Sequence, residues 1–187
     1  MSRPPMREKA KVMDAEAIRR ALTRMAHEVL ERNHSAQGLA VVGIPTRGGP
    51  LAQRLARAIE GIEETMVPVG ILDIARFRDD RTICSTSNSG SSKLAFDVAG
   101  RTIVLVDDVL YTGRTARAAL DALIAHGRPA NIQLAVLIDR GHRELPIRPD
   151  YVGKNLPTSS REHVAVRLDE VDGTDEVVIE EPVDRTS

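Results

Sequence analysis

Two adjacent carboxylates, Asp107 and Asp108, stand just ahead of Thr112-Gly113-Arg114-Thr115, where an apolar run gives way to a helical pattern. Amides at a helix start have no intrahelical acceptor and carry partial positive charge, so this position favours a phosphate. Gly113 lets the backbone approach the anion, and the hydroxyls of Thr112 and Thr115 can donate to it. A helix cap beginning with Thr would use the same residues, so the loop alone leaves two readings open. The acid pair separates them. Neighbouring carboxylates at a strand end repel one another unless they are solvated, hold a metal or accept hydrogen bonds. The vicinal hydroxyls of a ribose are suitable donors, at the right remove from a bound 5′-phosphate. The chemistry indicated is recognition of a ribose 5-phosphate group and of its pyrophosphorylated form. A phospho-acceptor receiver domain also carries acids at strand ends, but it leaves the Thr-Gly-x-Thr pattern without a role.

The elements that must position these residues follow from periodicity. Residues 1–12 read as a loose leader or a first short strand. Asp14 is placed as an N-cap, and Ile18, Leu22, Met25, Ala26, Val29 and Leu30 recur at helical spacing, which predicts an amphipathic helix over 15–32. Its polar face carries Arg20, Thr23, Arg24 and His27. Residues 39–44 read as a buried strand. After a turn at 45–49, Pro50 favours a helix start, and the helix ends near Gly61. Further strands are expected at 66–72, 102–106 and 132–138. A helix over 115–126 turns Ala116, Ala119, Leu120, Leu123 and Ile124 inward and stops at Gly127. Short strands near 151–153, 163–168 and 176–180 follow, the last two as a hairpin about Asp172-Gly173. Residues 73–98 break the pattern, and a loop that long is a lid or is disordered.

Strand–helix alternation with apolar strands predicts an α/β fold with a doubly wound, mainly parallel sheet. Ligands of such sheets sit beyond the carboxyl ends of the strands. Both loops, 45–49 and 107–115, fall there. With no internal repeat and no linker, residues 1–187 read as a single domain.

The 26 basic and 27 acidic residues nearly cancel, so no strongly basic total points to nucleic acid, although a local basic face remains compatible with it. There is no Trp, and Phe77, Phe96, Tyr111 and Tyr151 are the only aromatic residues, so aliphatic side chains must fill the core. A single cysteine, Cys84, forms no internal disulfide, and no stretch approaches the ~20 apolar residues of a membrane span. The expected location is the cytoplasm, with no membrane partner; the N-terminus also lacks the apolar core of a signal peptide.

The segment 104–116 as a whole resembles the phosphoribosyl-pyrophosphate (PRPP) binding motif of type I phosphoribosyltransferases. The segments 18–24, Gly43-Ile44-Pro45-Thr46-Arg47-Gly48, Asp79-Asp80 after Arg78, 139–146 and 150–158 are similar to the bifunctional PyrR family, over roughly residues 8–180. That resemblance implies a type I phosphoribosyltransferase fold with a flexible lid at 73–98, a small hood from 139–187 and a C-terminal β-hairpin. It implies uracil phosphoribosyltransferase activity, from uracil and PRPP to UMP and diphosphate. It also implies uridine-nucleotide-dependent binding of the pyrimidine-operon mRNA leader, which promotes transcription attenuation, and a homodimer or homotetramer. The alternatives are a nucleotide-sensing RNA regulator with little catalysis, or a phosphoribosyltransferase for another base without an RNA role.

By the same resemblance, Thr46, Arg47 and Gly48 form the pyrophosphate loop, with a cis peptide before Arg47, and Asp107, Asp108, Tyr111, Thr112, Gly113, Arg114 and Thr115 hold the nucleotide. Arg78 closes over pyrophosphate. One Mg2+ sits mainly on ligand oxygens and waters, touching Asp107 and Asp108 largely indirectly, with Asp139 in its outer shell. Val152, Lys154 and Leu156 lie against the base. Arg20, Thr23, Arg24, His27, Arg143, Arg148 and Lys154 face the RNA. Ala75-Arg76-Phe77 departs from the family's usual Thr-Leu-Tyr, and the lid is short and Ser-rich, which bears on catalytic rate.

Overall fold

The computed structural model describes residues 5–79 and 92–183. In chain order the elements are β1 (Met6–Asp14), α1 (Ala15–Asn33), β2 (Leu39–Gly43), α2 (Gly48–Glu63), β3 (Val69–Ile71), β4 (Thr102–Leu110), α3 (Arg114–Ala125), β5 (Asn131–Asp139), β6 (Tyr151–Asn155), β7 (His163–Arg167), α4 (Asp169–Asp172) and β8 (Glu176–Pro182).

Five strands form one sheet in the order β3-β2-β4-β5-β6, every neighbouring pair parallel. Side chains alternate across it with the period of an extended chain. Val41, Val104, Val106, Ala135 and Leu137 face the core shared with α1 and α2. Ala40, Val42, Ile103, Leu105, Leu134 and Val136 face the core shared with α3. Burial on both faces is why these strands read as continuous apolar runs. The doubly wound sheet is as expected.

Local chemistry sets the ends of the helices. Asp14 caps α1 by accepting from the Ala17 amide at 2.8 Å. In α3 the expected Ala116, Ala119 and Leu123 are buried and Leu120 is half-buried, but the buried face is wider on one side than expected. Ala118 and Ala122 are buried, while Ile124 is 59% exposed, because two alanines let the helix lie close on the sheet. Met66 is likewise exposed, and β3 begins only at Val69.

The second sheet is antiparallel, in the order β1-β8-β7. It contains the expected C-terminal hairpin, with Gly173 in the left-handed region (φ 72°) at the end of α4. The expected hood began at residue 139. Its sheet also recruits β1 from the other end of the chain, because β8 would otherwise present an unpaired edge. Cys84 and Asp80, with the Ser-rich part of the lid, lie outside the described residues.

Candidate nucleotide site

β4 is longer than its apolar core. It continues through the acid pair to Leu110, with Asp107 opposite Val136 and Leu110 opposite Asp139. The acids therefore lie within the strand rather than at its end, and parallel pairing with β5 supports them. Asp107 is 7% exposed. Burial, then the charge of Asp108, raises its pKa well above the usual carboxylate range. Its Oδ1 accepts the Asp108 amide at 2.9 Å, and Asp108 Oδ1 accepts the Val109 amide at 2.7 Å.

Beyond Leu110 the chain turns through Thr112 and Gly113 into α3. Gly113 has φ 92°, a left-handed conformation that L side chains rarely adopt, so glycine is needed here for its backbone freedom; a Cβ would only touch Leu145, at 3.4 Å. As the residue before the helix it has no side chain with which to cap the first amides. The Thr112 carbonyl accepts the amides of Glu144 and Leu145 at 2.9 and 3.1 Å, which ties the turn to the segment after β5. Arg78, Asp107, Thr112, Gly113, Arg114 and Thr115 together line a cavity of about 400 Å3. The lid arm reaches the same place: Asp79 pairs with Arg114 at 2.8 Å. Glu144 takes the other side of the Arg114 guanidinium at 2.7 Å.

The other loop sits across the sheet edge. Gly48 starts α2 where a Cβ would stand 2.5 Å from the Val106 carbonyl oxygen, so only glycine lets this turn lie against β4. The cis peptide is Pro45–Thr46, one bond earlier than expected. Arg47 already has helical backbone angles (φ −85°, ψ −21°) as the residue leading into α2. Its guanidinium is held in a fork by Asp172 of α4 at 2.7 and 3.0 Å. That bond holds the Asp172 carboxyl below the usual range.

A second cleft, about 620 Å3, joins these parts. Arg47, Asp108 and Tyr111 form its floor, and the hood segment 160–167 forms its opposite wall. Val152, Lys154 and Leu156 do not line it. Val152 and Leu156 pack against the two cores on either face of the sheet, and Lys154 is exposed on β6. Arg140, to which no role was given, is buried at the cleft with its guanidinium 4.1 Å above the Tyr111 ring. An arginine directly after Asp139 reads as a solvated charge at a strand end. No sequence signal shows that it turns onto an aromatic ring and is left only 5% exposed.

Asp139 spends its carboxylate on the chain itself, accepting from Arg143 at 2.6 Å and from the Gly141 amide at 3.0 Å. Arg143 also donates to the Ile147 and Tyr111 carbonyls, so it braces the turn after β4 rather than standing out from the surface. The other proposed RNA-facing residues remain outside. Arg20, Thr23, Arg24 and His27 are exposed on α1, and Arg148 and Lys154 are exposed beyond β5. Arg24 joins the two groups by donating to the Val152 and Gly153 carbonyls at 2.9 and 2.7 Å.

The parallel sheet, the acid pair and the two glycine turns at its carboxyl edge define a class. The phosphoribosyl transferase domain model matches residues 10–171, so the class is that of the phosphoribosyltransferases. Solved structures agree on the fold. A hypoxanthine phosphoribosyltransferase of Trypanosoma cruzi in complex with the product IMP superposes with a TM-score of 0.71, at 18% identity, covering 94% of this chain and 91% of that one. One from Staphylococcus aureus gives 0.69 at 17% identity, covering 91% and 92%. Sequence relatives narrow the assignment. The bifunctional protein PyrR of Pelotomaculum thermopropionicum is 62% identical over 92% of this chain and 96% of its own length. That of Deinococcus radiodurans is 57% identical over 94% and 97%. The chain belongs to the bifunctional PyrR family.

Proposed function

We propose that this protein transfers the phosphoribosyl group of PRPP to uracil, giving UMP and diphosphate, and that its uridine-nucleotide-bound form binds the mRNA leader of pyrimidine-biosynthesis genes. The observation that carries the first part is the cavity shared by Asp107, the 112–115 turn and Arg78. The 5′-phosphate lies on the amides of 112–115, and Asp107 and Asp108 accept from the ribose hydroxyls. The bond from C1′ to the pyrophosphate oxygen breaks, the bond from C1′ to uracil N1 forms, and the N1 proton is released. The sugar passes through a cationic state, so the protein's work is to hold the ribose and stabilise the departing anion.

Thr46, Arg47 and Gly48 take the pyrophosphate, and Arg78 closes on it from the lid, keeping water out. Asp107 and Asp108 fit a hydrated Mg2+ held mainly through ligand oxygens, because a cation beside the pair relieves the repulsion that raises Asp107. That ion would supply charge neutralisation at the leaving group. The chain works as one unit, with the lid 73–98 and the hood acting on one cleft.

Arg20, Thr23, Arg24 and His27 with Arg148 and Lys154 form the RNA face, supported by the Arg24 bridge between α1 and β6. Phosphate contacts from these cations make the affinity fall with salt. We infer a homodimer or homotetramer in the cytoplasm; among the described residues no helix is long and apolar enough to cross a membrane.

Purified protein with PRPP, Mg2+ and single nucleobases tests the activity. UMP should form with uracil, and a product with hypoxanthine but none with uracil contradicts the proposal. For RNA, gel shifts with a leader hairpin and UMP should weaken in Thr23→Ala, His27→Ala and Arg148→Ala. Unchanged shifts in all three remove the proposed face.

A further inference from the structure

Away from the nucleotide site, α1 and α2 leave a groove of about 380 Å3 between them. Ala15, Leu22 and Ala58 line it, and the two alanines leave open the space that longer side chains would fill between the helices. Around this carbon surface stand Arg19 and Thr23 from α1 and Arg57 from α2, all exposed.

The arginines at the groove differ in what holds them. Arg54 is fully occupied, forked by Glu170 and Asp175 through four hydrogen bonds of 2.6–2.9 Å. Arg19 leans on Glu16 at 2.5 and 3.1 Å, an exposed pair of the kind that is worth little in water. Arg57 has no hydrogen bond or ion pair among the described residues. A solvated arginine is ordinary by itself. Its neighbour gives this one a context: Thr23 lines the groove and also belongs to the proposed RNA face. The Thr23 hydroxyl donates to the Arg19 carbonyl at 3.1 Å, so toward a ligand it presents its lone pairs. RNA lying on Arg20, Thr23, Arg24 and His27 reaches the groove by crossing Thr23.

The groove suits one kind of RNA element. Sequence-specific recognition of RNA uses bases splayed from loops and bulges, stacked on aromatic rings or on guanidinium planes. No aromatic side chain lines this groove, and Arg19 and Arg57 supply the planes and the positive charge. Its volume is near the lower end of the ~300–1,000 Å3 that small-ligand sites span, room for one nucleotide and too little for a partner helix.

On the RNA-binding reading given above, we infer that the α1–α2 groove is a slot for one unpaired nucleotide of the leader RNA. The base lies against Leu22 and Ala58 beside the Arg19 guanidinium, and the phosphate pairs with Arg57.

The test is a fluorescence-anisotropy titration of the full chain, with UMP present, in the wild type, Arg57→Gln and Ala58→Met. The probes are a leader hairpin and copies of it in which each unpaired nucleotide in turn is abasic. Arg57→Gln should lower the hairpin affinity about three- to fivefold, the scale of an exposed ion pair. It should also flatten the slope of log affinity against log salt by about 0.7–0.9, one phosphate contact. In the wild type, one abasic copy should bind at least about fivefold more weakly than the intact hairpin, the scale of one stacked base. Ala58→Met fills the slot and keeps every charge, so it should weaken the intact hairpin and bind that abasic copy no worse than the intact one. Unchanged affinity and salt slope in Arg57→Gln overturn the proposal, and this exposed position decides alone should Ala58→Met fail to fold. A changed oligomeric state of either variant, read by sedimentation without RNA, would assign the groove to a second copy of the chain and also overturn it. Failure of the underlying reading looks different: the wild type would then bind no leader RNA at all, and both readings fall.

Discussion

Asp107 carries the sharpest conflict between stability and function. Burial and then the neighbouring Asp108 raise its pKa, so the folded protein holds this proton to higher pH than the unfolded chain does. Between the ordinary carboxyl value and the raised one, the folded state binds more protons, and stability falls as pH rises through that window. The penalty is complete above the raised value and absent below the ordinary one. Asp107→Asn should therefore raise the ligand-free Tm at pH 8 by about 2–4 °C, the shift expected for roughly 1 kcal/mol at this size. The gain should vanish near pH 3, while PRPP affinity drops at least about tenfold. Calorimetry at both pH values checks this, and an unchanged or lower Tm at pH 8 contradicts the burial argument. Arg143 gives a second prediction at this scale. Because it bonds Asp139 and the Tyr111 carbonyl, Arg143→Ala should weaken UMP binding as well as RNA binding, whereas Arg148→Ala should weaken RNA binding alone. Parallel titrations with UMP and RNA separate the two.

The elements divide into those that local pattern specifies and those that distant partners specify. α1 was legible because its cap, Asp14, and its apolar stripe are both local, and β2 and β5 because burial on both faces leaves an unbroken apolar run. The full length of β4 was not legible, since Asp107 and Asp108 look like a strand end and only pairing with β5 keeps them in the ladder. The place of β1 was equally hidden. Its partner β8 lies at the opposite end of the chain, and its side chains are mostly exposed. The same division holds for the site. The 112–115 turn is one contiguous segment, and its glycine and its place at the start of a helix could be read directly. The cleft wall is assembled from the hood and Arg140 by tertiary packing, so its residues carry no local mark. Gly48 tests the β2–α2 turn. A methyl group 2.5 Å from the Val106 carbonyl oxygen must displace backbone, so Gly48→Ala should cost about 1–3 kcal/mol and weaken pyrophosphate binding. Thermal unfolding within 0.5 °C of wild type, an order-of-magnitude threshold well below about 2 °C, would show that the turn has slack.

Across the whole molecule, ion pairs hold the hood to the sheet domain. Arg47 grips Asp172, and Arg54 grips both Glu170 and Asp175. Hydrogen bonds from these arginines lower the pKa of all three carboxyls. Carboxyls lowered by folding stabilise at pH above their ordinary values of 3.8 and 4.5, and that contribution is lost as pH falls through the lower native values. Acidification should therefore loosen β7 and β8 before β4, and hydrogen exchange between pH 6 and pH 3 reads the order; simultaneous release would contradict it. On the proposed function, the Arg47–Asp172 pair makes pyrophosphate compete with the hood for Arg47, so Asp172→Asn should raise pyrophosphate affinity severalfold at low salt. Everything at this scale depends on a sugar phosphate entering the sheet edge between the two glycine turns. A crystal structure of the protein with UMP tests that most directly. The phosphate should lie within hydrogen-bond distance of the 112–115 amides, with the ribose hydroxyls on Asp107 and Asp108. UMP bound elsewhere, or a cradle left empty at saturating UMP, would contradict the account.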